Sequence, residues 1–222
     1  MESIARKRMW FSMAAGAAAV AILAAGWVAA SERARFVAGG AMVNVGYELQ
    51  DPIEDFEVVD HEGMQPEAIW AEIVAQNQLA SGVRKHFPRS SRHPVIAMVV
   101  CMDARVDTVE LTGDTRKYYY MVRTAGSVIG PEEVEMLELA VANGVKVVVL
   151  TTHSDCAAEK VAADPEKRRL YPALSAGIDE RDLRIAAFLK RPAIAAKLAS
   201  GDLIVKQMNI DTATDELVKP DH

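Results

Sequence analysis

The sequence predicts an α/β fold, a mostly parallel β-sheet flanked by helices and preceded by an apolar helix at the amino end. Three observations carry this. The run Val95-Ile-Ala-Met-Val-Val100 is short, apolar and β-branched, and it stops at Cys101-Met-Asp-Ala-Arg105. A buried parallel strand that delivers reactive side chains to its carboxyl end has this form. The design recurs downstream, where Val145-Lys-Val-Val-Val-Leu150 runs into Thr-Thr-His153-Ser-Asp-Cys156. Between the two lies a segment with helical spacing, so strand, crossover helix and strand form a right-handed parallel unit whose strand ends converge. The only two cysteines of the chain therefore meet at one end of one sheet.

Taken in order, the chain opens with Arg6-Lys-Arg8 and then 22 residues without a charge, 9–30, with Trp10 and Trp27 near the two ends. At 1.5 Å per residue the tryptophans would stand roughly 25 Å apart along a helix, which suits the two interfaces of a bilayer. The segment reads as a transmembrane anchor. Val28-Ala29-Ala30 before Ser31 also resembles a small-residue cleavage site, so a signal peptide is the alternative. Either way residues 1–8 form a basic cytoplasmic tail and the remainder is exported, to the outer face of a bacterial-type inner membrane or to the periplasm.

Residues 31–65 read as an acidic linker or arm. From Phe36 to Val83 there is no Lys or Arg, while nine Asp and Glu fall between Glu48 and Glu72. Such a run is a solvated tether or a docking arm for a partner in a membrane complex. Asp60-His61-Glu62 is an acidic loop rather than a metal cluster, because contiguous residues rarely all reach one ion.

The folded domain is expected over 66–222. A helix over 66–81 starts at Pro66, shows Ile69, Trp70, Ile73, Val74 and Ala80, and ends at Gly82. After the first strand, Lys117-Tyr-Tyr-Tyr-Met-Val122 is the second, leading into Arg123-Thr-Ala-Gly126; its tyrosines serve sheet packing. Gly130-Pro131 opens the crossover helix and Asn143-Gly144 closes it. Asp179 caps a helix carrying Leu183, Ala186 and Leu189. Pro192 opens another that ends at Ser200-Gly201, and 203–208 is the fourth strand.

Composition bounds the function. Half the residues are hydrophobic and a quarter charged, as in a chain that buries a core. A net charge of −6 argues against nucleic acid as a partner, since neutralising phosphates needs clustered Lys and Arg.

The chemistry centres on Cys101, His153 and Cys156. Two thiolates and one imidazole are a sound zinc set, with the fourth position left for water in a catalytic site. Asp103, two residues before Arg105, would ordinarily form an exposed pair of little worth. Beside a metal it becomes an acceptor that orients the water, held by the guanidinium fork. A disulfide between the cysteines in an exported chain, or two inert buried thiols, compete with this reading. A redox pair fits less well because Cys-x-x-Cys is lacking.

Cys101-Met-Asp-Ala-Arg105, Arg123-Thr-Ala-Gly126 and His153-Ser-Asp-Cys156 resemble, in order, the three signatures of the β-class carbonic anhydrases: Cys-x-Asp-x-Arg, Arg-Asn-Ala-Gly and His-x-x-Cys-Gly. The resemblance extends over residues 66–217 and includes Asp211-Thr-Ala-Thr214 as a turn. It implies zinc on Cys101, His153 and Cys156, an Asp103–Arg105 dyad, a pocket bordered by Ala125 and Gly126, and a homodimer or larger assembly. The implied reaction is the reversible hydration of carbon dioxide to bicarbonate. This chain departs from the pattern at Thr124 for Asn, Thr152 and Ala157 for the glycines flanking His153 and Cys156, and Asp215 for a turn glycine. None removes a ligand. Relatives of this type hydrolyse carbonyl sulfide or carbon disulfide at such a zinc, and others serve as non-catalytic subunits of membrane complexes; both stand as alternatives.

Overall fold

The computed structural model describes residues 26–27, 31–50, 65–86, 92–108, 111 and 118–220. The chain divides into two compact units, Met1–His86 and Phe87–His222. The expected anchor or signal, 9–30, lies outside the described residues except for Gly26 and Trp27, and Asp60-His61-Glu62 lies outside them altogether. No helix among the described residues is long and apolar enough to cross a membrane.

In the first unit, the linker expected from residue 31 is helical over Glu32–Gln50 (α1). The Ser31 hydroxyl accepts the Ala34 N–H at 3.2 Å and so caps its start. Gly39 and Gly40 lie inside α1, where an interior glycine costs only about 1 kcal/mol and does not by itself end a helix. Likewise Gly82 does not close the next helix, Pro66–His86 (α2), which runs on to place Arg84, Lys85 and His86 in its last turn, where they complement the carboxyl-end dipole. None of its residues is buried, so the proposed apolar stripe of Ile69, Trp70 and Ile73 is exposed. α2 groups with the first unit, and the second unit begins at Phe87.

The second unit is built on a five-stranded sheet: β1 (Ile96–Cys101), β2 (Tyr119–Thr124), β3 (Val147–His153), β4 (Ile204–Asp211) and β5 (Glu216–Val218), in the order β2-β1-β3-β4-β5. Every pair is parallel except β4 with β5. β1 is an interior strand buried on both faces: Ala97 and Val99 join one core with Val148 and Leu150 of β3, while Met98 and Val100 join another with Val149. A strand buried on both faces has no polar alternation, which is why β1 and β3 were legible as continuous apolar runs. Both lie slightly later than the runs suggested, so Cys101 and His153 are the last residues of their strands. β2 and β4 are shifted the same way, and β5 was not anticipated.

Helices α3 (Pro131–Ala142), α4 (Ala157–Ala163), α5 (Pro165–Leu170), α6 (Pro172–Leu189) and α7 (Pro192–Ser200) complete the unit. Pro131 sits in the first turn of α3, and the Glu133 carboxylate accepts the Gly130 N–H at 2.8 Å. α6 begins at Pro172, seven residues before the expected cap. Asp179 is therefore interior, and its carboxylate takes the Arg168 guanidinium instead. The buried side of α6 is Ile185 and Phe188, packed with Leu137, Ile194 and Leu203, whereas Leu183 faces solvent. Each such side chain contributes on the order of 1.5–3 kcal/mol of burial. Short α4 and α5 escaped notice; Asp164 caps α5 by accepting the N–H groups of Glu166 and Lys167 at 2.9 and 3.2 Å.

In the turn between β4 and β5, Asp215 stands at φ +53°, the left-handed conformation that favours glycine. Its Oδ1 is buried with no hydrogen-bond partner, and burial, then the Asp107 charge, push its pKa above the usual carboxylate value. A carboxyl group whose pKa rises on folding contributes most below its unfolded value and becomes a cost as pH climbs past its folded one. Asp215→Asn keeps the left-handed tolerance and removes the charge, so it should raise the melting temperature at pH 7 by about 2 °C. The gain should fade as pH drops below the usual carboxylate pKa, where Asp215 is protonated in both the folded and the unfolded chain. Equal melting at pH 7 would contradict the assigned cost.

Candidate metal centre

The site forms where β1 and β3 end. Parallel pairing aligns the two strands from Ile96 with Val147 to Val99 with Leu150, so that Cys101 and His153 emerge side by side at their carboxyl ends. Three residues later Cys156 stands at the amino end of α4. The ligand atoms of Cys101, His153 and Cys156 all lie within 4.8 Å of one another, and all three side chains are buried. Neither cysteine is in a disulfide.

The residues fit a metal ion. His153 Nδ1 lies 2.9 Å from the Ser154 carbonyl oxygen, so that nitrogen carries the proton and leaves Nε2 as the acceptor. Nε2 is buried with no protein partner, a costly arrangement for a polar atom unless an ion takes it. Burial pushes the Cys156 thiol up, as does the charge of Cys101, so ionising the pair is coupled to the arrival of a cation. Two sulfurs and one nitrogen in a buried triangle select a borderline-soft ion such as zinc.

An apolar backing surrounds the sulfurs. Leu174 and Ile178 of α6 pack against the cluster of Cys101, Cys156 and Ala158. Gly126, in the turn after β2, is buried at φ +61°; a Cβ there would lie 2.2 Å from Ile178 Cδ1 and 3.3 Å from Ala158 Cβ. Its carbonyl accepts Arg181 Nη1 at 3.2 Å, and the same nitrogen donates to Glu159 at 2.6 Å. Gly126 thus serves close packing between the turn and α4 and α6. Ala125 lies between it and Thr124, the β2 residue paired with Cys101.

Beside the ligands, Arg105 holds Asp103 through two parallel bonds, Nε to Oδ1 at 3.0 Å and Nη2 to Oδ2 at 2.8 Å, and its backbone N–H adds a third to Oδ1 at 3.0 Å. These bonds keep the Asp103 carboxyl well below the usual carboxylate range and the Arg105 guanidinium well above its own. Asp103 is an anion at every working pH. Sequence reasoning placed these five residues together, but it missed Asp155. At φ +61°, Asp155 accepts Arg105 Nη1 on Oδ2 at 3.1 Å and Arg105 Nη2 on its carbonyl at 3.1 Å, and it pairs with Lys160. The signal was visible inside His-Ser-Asp-Cys, but spacing does not say which way that carboxylate points.

Of the departures from the family pattern, Thr152 donates to Asn209 Oδ1 at 2.9 Å and so ties β3 to β4. Thr124 Oγ1 and Ser127 Oγ are buried with no protein partner.

A mostly parallel sheet that brings two thiols, an imidazole and a guanidinium-held carboxylate to adjacent strand ends defines an α/β protein with a Cys₂His group that could hold a metal ion. The carbonic anhydrase family model matches residues 96–219, more than half the chain. The chain belongs to the carbonic anhydrase family, in its β class. It is 31% identical over 93 residues to β-carbonic anhydrase 1 of Mycobacterium tuberculosis and of Mycobacterium bovis, a stretch covering 41% of this chain. That match spans 56% of the length of those relatives. In fold it is similar to a carbonic anhydrase from Streptococcus mutans, with a TM-score of 0.51 and 20% identity over 68% of this chain and 97% of that one.

Proposed function

We propose that the protein is a zinc-dependent carbonic anhydrase that hydrates carbon dioxide reversibly to bicarbonate. The observation that carries this reading is the buried triangle of Cys101, His153 and Cys156 beside a carboxylate locked by Arg105. The names of the mycobacterial relatives support it.

Cys101, Cys156 and His153 through Nε2 would hold zinc, which would supply a Lewis acid able to make water nucleophilic near neutral pH. The protein's own part follows from its bonds. Ser154 fixes the tautomer of His153. Asp103 is held too acidic to serve as a base, so it accepts a hydrogen bond from the attacking water and orients it without taking its proton. Arg105 occupies one lone pair or more on each Asp103 oxygen and leaves the carboxylate a single orientation. Ala125 and Gly126 border the space where carbon dioxide would sit.

Stopped-flow hydration on the zinc-loaded protein tests this. The rate should rise with pH through neutrality to a plateau, and that rise belongs to the water, because Asp103 is already ionised. Asp103→Asn should lower kcat about 100-fold with zinc retained, as loss of a group that positions a reacting proton does. A zinc-replete wild type with no hydration at any pH would defeat the proposal. Turnover of carbonyl sulfide in place of carbon dioxide would keep the site and change the substrate.

A further inference from the structure

We propose that Asp155 is a positioning residue for this reaction, a second carboxylate that clamps Arg105 from the side opposite Asp103; this rests on the hydration reading above. Nε and Nη2 of Arg105 face Asp103, while Nη1 and the remaining Nη2 donor face the side chain and carbonyl of Asp155. A guanidinium bound along one edge can pivot about that edge. Bound along two, its plane is set, and so is the carboxylate it carries.

The clamp also joins two loops that are distant in sequence. Asp103 and Arg105 follow β1 and Cys101, whereas Asp155 lies between His153 and Cys156, so each end of the ion-pair chain is anchored beside a candidate ligand. Lys160 of α4 pairs with the free Asp155 oxygen, Oδ1, and completes an alternating row of carboxylate, guanidinium, carboxylate and ammonium. The left-handed backbone at Asp155, φ +61°, presents its carbonyl and its carboxylate to the same guanidinium. With its side chain 47% exposed, Arg105 is only half covered by the rest of the protein, so its ion pairs bear much of its orientation. Asp155 makes its contribution through Arg105 and not through the reacting atoms.

Two variants test it. Asp155→Asn keeps shape and tolerates the left-handed conformation while removing the charge; Asp155→Gly suits that backbone best and keeps the carbonyl acceptor. The first readout is solvent exchange of the Arg105 Nε–H by NMR, in zinc-free and zinc-loaded protein. The second is the split between kcat and KM for hydration. Both variants should retain zinc and the wild-type melting temperature, exchange Arg105 Nε–H about five-fold faster, and lose about five-fold in kcat with KM unchanged, the scale of an exposed ion pair. Unchanged exchange and kcat would overturn the proposal, and so would a collapse of zinc content and melting temperature, which marks a structural role alone. If the wild type hydrates no carbon dioxide, the hydration reading fails by itself, and the exchange rates still decide whether Asp155 sets the guanidinium.

Discussion

Cys156→Ser protein should purify with less than about a tenth of the zinc held by the wild type, which should carry about one ion per chain. The serine hydroxyl is close in size to the thiol but does not ionise near neutral pH and is a harder donor. It leaves Cys101 and His153 as the only strong ligands, and three protein ligands are the working minimum of a tight catalytic site. Hydration should fall to the uncatalysed background with the zinc. Metal analysis of both proteins, purified side by side, checks this. Zinc retained in the variant at wild-type stoichiometry would mean that the buried triangle is not the ligand set.

Gly126→Ala should lower the melting temperature by about 10 °C. Two costs add. A residue with a Cβ at φ +61° is strained by about 1–2 kcal/mol. The new methyl also falls 2.2 Å from Ile178 Cδ1. Ile178, partly buried, packs against Cys101, Cys156 and Ala158, so turning its Cδ1 aside disturbs the backing of the thiols, and overpacking of this kind costs about 1–3 kcal/mol. A total of about 3 kcal/mol corresponds to the stated shift for a unit of this size. Adding Ile178→Val removes the clashing Cδ1 and should recover the packing part, leaving the backbone part. A melting temperature unchanged in the single variant would show that α6 yields easily and that the close approach at Gly126 is not required.

The strands could be read because β1 and β3 are buried on both faces. Such a strand leaves an unbroken β-branched run in the sequence, and a parallel sheet places chemistry where the run stops. That logic singled out Cys101, Asp103, Arg105, His153 and Cys156 as candidates, and the structure brings the potential ligand atoms of Cys101, His153 and Cys156 within 4.8 Å of one another. Helix starts were legible where proline or glycine marks them, as at Pro131 and Pro192, with Gly201 at φ +76° closing α7. They were misread where a capping residue type sits inside a helix. Asp179 looks like a cap in isolation, but its carboxylate is committed to Arg168 across a loop that sequence spacing does not reveal. Gly82 was overvalued as a break for a related reason: its cost is small beside that of interrupting a continuing helix.

The sequence by itself determined the α/β class and the candidate residues of the site with their order along the chain, because strand burial and residue type are local and leave local marks. Only the tertiary structure decided which His153 nitrogen is free, how Gly126 meets Ile178, and that Asp155 turns its carboxylate and carbonyl towards Arg105. The first depends on how the backbone turns just after His153, the other two on the direction of one bond relative to a partner some 50 residues away, and a backbone torsion such as the +61° at Asp155 is set by packing that no short stretch of sequence encodes.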